Sequence, residues 1–296
     1  MIDKNTDEID FIEIYRSLVK EKFIVLTTVA LCSLLVIIYS LLLPNIYTSS
    51  STLTISESSG NQQNMLSGLG GLAGLPGINL GATTSKNSYA QTIIFSRQFL
   101  EHLLKKNQIK HFITAAESYE YSSDKITFNT NYNFESNNWN KDKKGLSLEP
   151  SLLETHKIYK NMVSYKEDSE TGYMELSVSH ISPAFAKKLL GLIITETNNL
   201  SRIIDLNDST EALEYYYKQL KETSQVEVRQ SINTLIEMQL KKKMMANVKE
   251  DYLLEVLDKP FVPEEKSSPV RTLIVLYGIL AGFILSCLIV FYKKRT

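Results

Sequence analysis

The side chains of this 296-residue chain that could do chemistry are few and scattered. His102, His111, His156 and His180 occur singly, with no second histidine at the four-residue spacing that H-E-x-x-H uses to hold a metal. Histidines so isolated read as packing or surface residues. Ser17–Lys20 and Ser122–Lys125 have the Ser-x-x-Lys spacing that can pair a nucleophile with its activating amine, but the companion motifs of that chemistry are missing. A phosphate-cradling loop would need glycines ahead of Gly-Lys-Ser/Thr, and a nucleophile elbow would need G-x-S-x-G; neither string occurs. The consecutive Tyr215, Tyr216 and Tyr217 fit a packed helical interface better than a phosphorylation site. The sequence therefore predicts no catalytic residue, no cofactor site and no metal site.

What must be positioned is instead a domain between two membrane anchors. Phe23–Leu43 and Leu273–Phe291 are uncharged apolar runs of about 21 and 19 residues, which as helices span about 31 and 28 Å, close to the hydrocarbon thickness of a bilayer. Arg16, Lys20 and Lys22 precede the first run, and Lys293, Lys294 and Arg295 follow the second. No Lys or Arg occurs between Lys22 and Lys86. The positive-inside rule then predicts cytoplasmic tails at 1–22 and 292–296 and an exported domain over 44–272. The first run is too long for a signal-peptide core and ends Leu41-Leu42-Leu43-Pro44 without a small-residue cleavage site, so it reads as a retained anchor. Both cysteines, Cys32 and Cys287, fall inside the runs, which leaves the exported domain to packing or assembly for its stability. A net charge of -1 argues against nucleic acid as a partner.

Within the domain, Tyr47–Ser56 reads as a strand and Asn87–Lys106 as a helix. Met65–Ala82 holds half of the chain's glycines among Leu, Ile and Met, and reads as a mobile loop or as one touching lipid, a neighbouring subunit or a polymer. Strands are expected at Lys125–Phe134, around Lys160–Lys166 and at Tyr173–Ile181, with a loop around Asn137–Gly145. Ser182-Pro183 has the chemistry of a helix start, a hydroxyl cap followed by the imino acid that loses no internal hydrogen bond.

From Asp208 to about Leu257 neither glycine nor proline interrupts the chain, and Leu213, Tyr217, Leu220, Ile232, Leu235 and Met238 recur near helical spacing. If continuous, a helix there would be roughly 75 Å long, but the apolar stripe drifts around Gln225–Gln230, where a break or bend is possible. Too long to be covered within one chain, it predicts an oligomer interface on those six residues. Pro263, Pro269 and Arg271 mark an extended return to the bilayer, and Gly278-x-x-x-Gly282 offers a small-residue face for packing in the second run. The expected fold is α+β: two transmembrane helices flanking a domain with a membrane-proximal α/β layer and a long helical projection.

These pieces resemble the Wzz-type chain-length determinants, polysaccharide co-polymerases of bacterial inner membranes. The resemblance rests on Ile9-Asp10-Phe11, Leu43-Pro44-Asn45-Ile46-Tyr47-Thr48, Ser96-Arg97-Gln98-Phe99-Leu100, Val178-Ser179-His180-Ile181-Ser182-Pro183, and Pro263 to Pro269-Val270-Arg271 before a glycine-bearing run. It implies a periplasmic domain assembled into a homo-oligomeric ring. It also implies a non-catalytic role in setting the modal length of a lipid-linked polysaccharide, O-antigen foremost, made by a Wzy-type polymerase. The kinase-bearing relatives carry their kinase after the second run; with no P-loop and no Tyr-rich stretch after Lys293-Lys294-Arg295-Thr296, none is expected here. Capsule or exopolysaccharide export and a two-span periplasmic sensor are the alternatives, the sensor handicapped by tails too short for an output module.

Overall fold

The computed structural model describes residues 20–56 and 86–295; Ile9-Asp10-Phe11 and the Gly/Leu segment 65–82 lie outside them. Two compact units emerge, one made of the chain up to Ile46 and from Glu265 onward, the other of Tyr47–Glu264. In chain order the described elements begin with α1 (Lys22–Leu42) and β1 (Tyr47–Ile55), then α2 (Lys86–Ile94), α3 (Arg97–Asn107) and α4 (Lys110–Thr114). Two small hairpins follow, β2–β3 (Ala116–Glu120, Lys125–Phe128) and β4–β5 (Tyr132–Asn133, Asn138–Trp139). Next come α5 (Leu152–Met162), β6 (Val163–Glu167), β7 (Met174–His180) and α6 (Pro183–Glu222). The chain closes with α7 (Val226–Val248), β8 (Leu254–Val256) and α8 (Arg271–Arg295).

The organising sheet of the second unit is antiparallel, in the order β6-β7-β1-β8. Alternation along β1 buries Tyr47, Ser49, Ser51 and Leu53, which stand opposite the buried His180, Val178, Leu176 and Met174 of β7. The two buried serines would be a liability without partners, and their hydroxyls donate to the carbonyls of Phe261 (2.6 Å) and Asp258 (2.5 Å), stitching the returning chain to β1. Leu53, Leu176 and Val178 pack with Phe99, Leu100 and Leu103 of α3, Tyr159 of α5, and Leu189, Leu190 and Ile193 of α6, all fully buried. Each large side chain so removed from water contributes about 1.5–3 kcal/mol.

Serine caps set the helix boundaries. Ser182 accepts the Phe185 amide ahead of Pro183, as its sequence predicts. The single helix expected over 87–106 is two, because Ser96 turns extended and caps α3 through the Phe99 amide. Helix α5 was not foreseen, although Ser151 and Glu154 form a reciprocal capping box at its start. The strand expected over Lys125–Phe134 splits into β3 and β4, and β5 occupies part of the expected loop. Rings from this region climb outward from the core: Phe185 stacks on Phe112 (4.9 Å between centroids), His111 on Tyr132 (4.6 Å), and Trp139 sits edge-on to Tyr132 (5.1 Å).

The helix expected over 208–257 is not continuous, and it breaks just ahead of the stretch where the sequence allowed a break. Helix α6 starts at Pro183 and runs 40 residues, about 60 Å, but stops at Glu222. Thr223 and Gln225 are extended, and the chain reverses into α7. Arg229 donates to the carbonyls of Leu220 (2.7 Å) and Thr223 (3.1 Å), capping the end of α6 from the start of the next helix. The pairings Leu220 with Arg229, Thr210 with Lys243 and Asp205 with Lys242 are antiparallel, so the pair is a helical hairpin. Residues 254–256, expected as helix, form the edge strand β8.

In the first unit α1 and α8 are both long and apolar enough to cross a membrane, with mean hydropathies of 2.5 and 2.8. They pair along a face described below and leave Phe23, Leu26, Leu42, Leu276 and Leu280 exposed, a surface suited to hydrocarbon rather than water.

Candidate functional surfaces: the helical hairpin and the paired spans

The hairpin is held by two different chemistries. Near the sheet, α6 presents a polar ladder. Asn198, buried at 4% exposure, accepts the amides of Leu253 and Leu254 and donates to the Leu254 carbonyl, which fixes β8 against the helix. One turn on, Arg202 donates to the carbonyls of Lys249 and Glu250 (both 2.7 Å), past the end of α7. A further turn brings Asp205, which accepts from Tyr252 and pairs with Lys242 at 2.6 Å. The spacing of three to four residues puts all three on one face. Farther out the seam is apolar: Leu213, Ile232 and Ile236 are buried against one another, with Tyr216 and Leu220 packed on them.

Three of the six residues expected at an interface between subunits pack within this chain. Leu213 and Ile232 face the partner helix of their own chain, as does Leu220 in part, because the helix folds back and supplies its own cover. Tyr217 remains 45% exposed, and Leu235 and Met238 are half-buried. Exposed apolar residues of the hairpin include Ile203, Tyr215, Tyr217, Val226, Val228, Leu240, Met244 and Val248.

The glycine pair lies inside the molecule's own span contact. A Cβ at Gly278 would meet Val36 side-chain carbons at 2.7–2.8 Å, and one at Gly282 would meet Cys32 Cβ at 2.9 Å and Val29 Cα at 3.4 Å. Val29, Cys32 and Val36 follow helical spacing, so α1 offers one stripe to the glycine face of α8. Where the chain returns to α8, Pro263 is buried, and the Arg271 Nη2 donates to Asn45 Oδ1 at 3.1 Å, joining the start of α8 to the end of α1. Ile46 and Ser268 form an antiparallel bridge beside it.

The histidines serve the fold. His180 is buried, with Nε2 toward the Phe112 carbonyl and Nδ1 accepting the Ser182 amide, both at 3.0 Å, the pattern of a neutral ring. Burial pulls its ring down to about 4, against the raising effect of those backbone bonds. His156 Nε2 lies 2.8 Å from the Phe95 carbonyl. His102 Nε2 meets Glu196 Oε2 at 3.0 Å, and Lys106 meets the same carboxylate at 2.8 and 2.9 Å. Glu196 is only 3% exposed; burial pushes its carboxyl up, but the hydrogen bonds and charges of Lys106 and His102 outweigh that and hold it below the usual range. Among the described residues no group of three or more His, Cys, Asp or Glu could hold a metal ion. The sequence reading missed the Glu196 cluster and the Asn198 clamp, whose partners lie 55 to 94 residues away and leave no local pattern.

Against this geometry, residues 7–107 match the family model of the Wzz chain length determinant protein. Over that N-terminal stretch the chain is similar to the Wzz family. A second match, to the GNVR model described as "G-rich domain on putative tyrosine kinase", covers 215–295. The two matches together take in both spans, the strand that follows the first, and the end of α6, all of α7 and the return that precede the second. No curated protein matches the sequence. Among solved structures, a "full-length bacterial polysaccharide co-polymerase" aligns at 11% identity and TM-score 0.39, covering 97% of this chain and 98% of that one. A fragment of WzzB, the polysaccharide co-polymerase from Salmonella Typhimurium, aligns at 13% identity and TM-score 0.30, covering 75% of this chain and 99% of that one. The likeness to the Wzz family rests on the sequence models, not on these loose superpositions.

Proposed function

We propose that this Wzz-type chain is a non-catalytic, homo-oligomeric regulator of the modal length of a lipid-linked surface polysaccharide, O-antigen foremost, acting beside a Wzy-type polymerase. In this reading the protein sits in the bacterial inner membrane with both termini cytoplasmic and residues 44–272 periplasmic. The observation that carries the reading is the chain length determinant match over 7–107, which includes the first span and the strand leaving it. The asymmetric Lys and Arg distribution around the spans supports the orientation. The outward apolar residues of the hairpin, Met244 at 66% and Val248 at 81% exposure among them, support assembly, since a neighbouring subunit covers a surface that water disfavours.

Length control arises here from assembly rather than chemistry: subunit packing fixes the surface presented to polymer and polymerase, and that surface governs how long extension continues. The match of 215–295 to the GNVR model favours a second reading, a co-polymerase serving capsule or exopolysaccharide polymerisation and export. The size distribution of surface polysaccharide from cells with and without the gene tests the proposal and separates the two products.

A further inference from the structure

A cavity of about 460 Å³ opens between α3, α4, the start of α5 and the β4–β5 hairpin, within the roughly 300–1,000 Å³ range of small-molecule sites. Its wall is part aromatic and part polar. Trp139 is the only tryptophan of the chain; half-buried, it stands edge-on to Tyr132, which is in turn stacked on His111. This sequence of rings gives an apolar wall anchored to the core, with the Trp139 plane turned 64° from that of Tyr132.

The polar groups around that wall are planar and have hydrogen-bonding capacity to spare. The Tyr132 hydroxyl donates to Asn137 Oδ1, which holds the amide in place and leaves its Nδ2 without a protein partner among the described residues. Gln108, also on the rim, makes no side-chain hydrogen bond among the described residues, and nor does the Trp139 indole N–H. Both Gln108 (φ 50°) and Asn137 (φ 52°) hold the left-handed backbone conformation that side chains other than glycine rarely adopt, so each is aimed by a locally costly turn. The charges present cancel in pairs: Lys110 meets Glu149 at 2.6 Å and Lys105 meets Glu101 at 2.7 Å. Burial, with the nearby Lys188, also lowers His111, keeping the ring neutral at neutral pH. A strongly ionic ligand finds no unpaired charge here, whereas a neutral ligand with an apolar face and many hydroxyls finds a ring for the one and planar amides for the others.

We propose that this cavity is a saccharide subsite, with Trp139 as the platform for a sugar's C–H face and Asn137 and Gln108 as hydroxyl partners. The subsite rests on the length-control reading only for the source of its sugar, the growing polymer. It gives each subunit a direct grip on the chain whose length is being set.

The single tryptophan makes the test direct. The full chain in detergent micelles is titrated with oligosaccharides released by mild acid from the host's own surface polysaccharide and, separately, with maltoheptaose, following tryptophan emission. The expected result is a saturable blue shift, weakened about fivefold or more by Asn137→Ala or Gln108→Ala, with thermal melting unchanged in Gln108→Ala, whose side chain makes no protein hydrogen bond among the described residues. Saturation by the host's oligosaccharide alone identifies the polymer as the source, and saturation by both identifies a general glycan subsite. No change in emission up to about 10 mM of either sugar, tenfold above a 1 mM dissociation constant, overturns the proposal, as does saturation that neither variant alters. Cells that lose length control on gene deletion while the emission stays flat would retain the function and lose the subsite. An unaltered polysaccharide beside saturable emission would do the reverse.

Discussion

Gly278 faces Val36 so closely that a Cβ added to it would lie 2.7 Å from Val36 Cγ1. One helical turn on, Gly282 faces Cys32 in the same way, so the G-x-x-x-G face of the second span is spent on the first span of the same chain. Close approach of the two backbones then stabilises the unit by dispersion contacts that a lipid tail cannot match as well.

This relationship is checked by cross-linking. In a Cys287→Ser background, Gly282→Cys is expected to oxidise with Cys32 within one chain, so that protease cleavage between the spans leaves the fragments joined until reduction. A disulfide-linked dimer on a non-reducing gel would instead place the glycine face between subunits. The double variant Gly278→Leu with Gly282→Leu overpacks the contact at a cost of about 1–3 kcal/mol and should broaden the product-length distribution.

The hairpin divides its residues by consequence. Ile236→Ala, inside the seam, should cost about 2–5 kcal/mol of local stability and speed proteolysis of α7, because it leaves a cavity against Leu213 and Ile232. Tyr217→Glu and Met244→Glu, on the outer surface, should leave protease resistance unchanged and lower the oligomer mass measured in detergent. Unchanged mass for both would place the subunit interface elsewhere.

His180 should make the domain acid-sensitive well above the carboxylate range. Its ring is lowered from 6.5 to about 4 in the folded protein, so the unfolded chain binds the extra proton first and stability falls as pH drops between those values, by roughly 3 kcal/mol. His111 is lowered too and acts with the same sign. Melting temperature measured from pH 7.5 to 5 should decline in the parent and decline less in His180→Gln, whose amide carries no titrating proton.

Glu196 supplies the complementary acid limit. Its carboxyl is held below the unfolded range, so its contribution is present above the unfolded value and disappears as pH falls through the folded one. Glu196→Gln removes the charge from a buried position that Lys106 and His102 both address, and should cost about 1–3 kcal/mol at pH 7, read by chemical denaturation.

How much of this was legible in the sequence depended on the range of the interaction. Ser182-Pro183 announced its helix because capping and the proline's missing amide are local, and the spans were legible because their apolar length is itself the signal. The Ser151-x-x-Glu154 capping box was equally local and was overlooked in a stretch dominated by Asn and charge. The reversal between α6 and α7 was not legible. Thr223-Ser224-Gln225 contains neither glycine nor proline, and helical spacing on both sides looks the same whether the helix continues or folds back on itself. Only the drift of the apolar stripe near Gln225 hinted at it. The glycine pair shows the same boundary: the motif names a close-packed face, while Val36 and Cys32, some 240 residues earlier, are named only by the fold. The aromatic wall at Tyr132 and Trp139 was hidden because its rings are adjacent in space rather than at any one period.

The measurement that bears most directly on length control is the size distribution of surface polysaccharide from a deletion strain and from the same strain carrying the gene on a plasmid, resolved on one gel. The account predicts a clustered lipopolysaccharide ladder with the gene and short, unclustered products without it. An unchanged ladder accompanied by unaltered capsule would contradict it, and an unchanged ladder with lost or altered capsule would transfer the role to polysaccharide export.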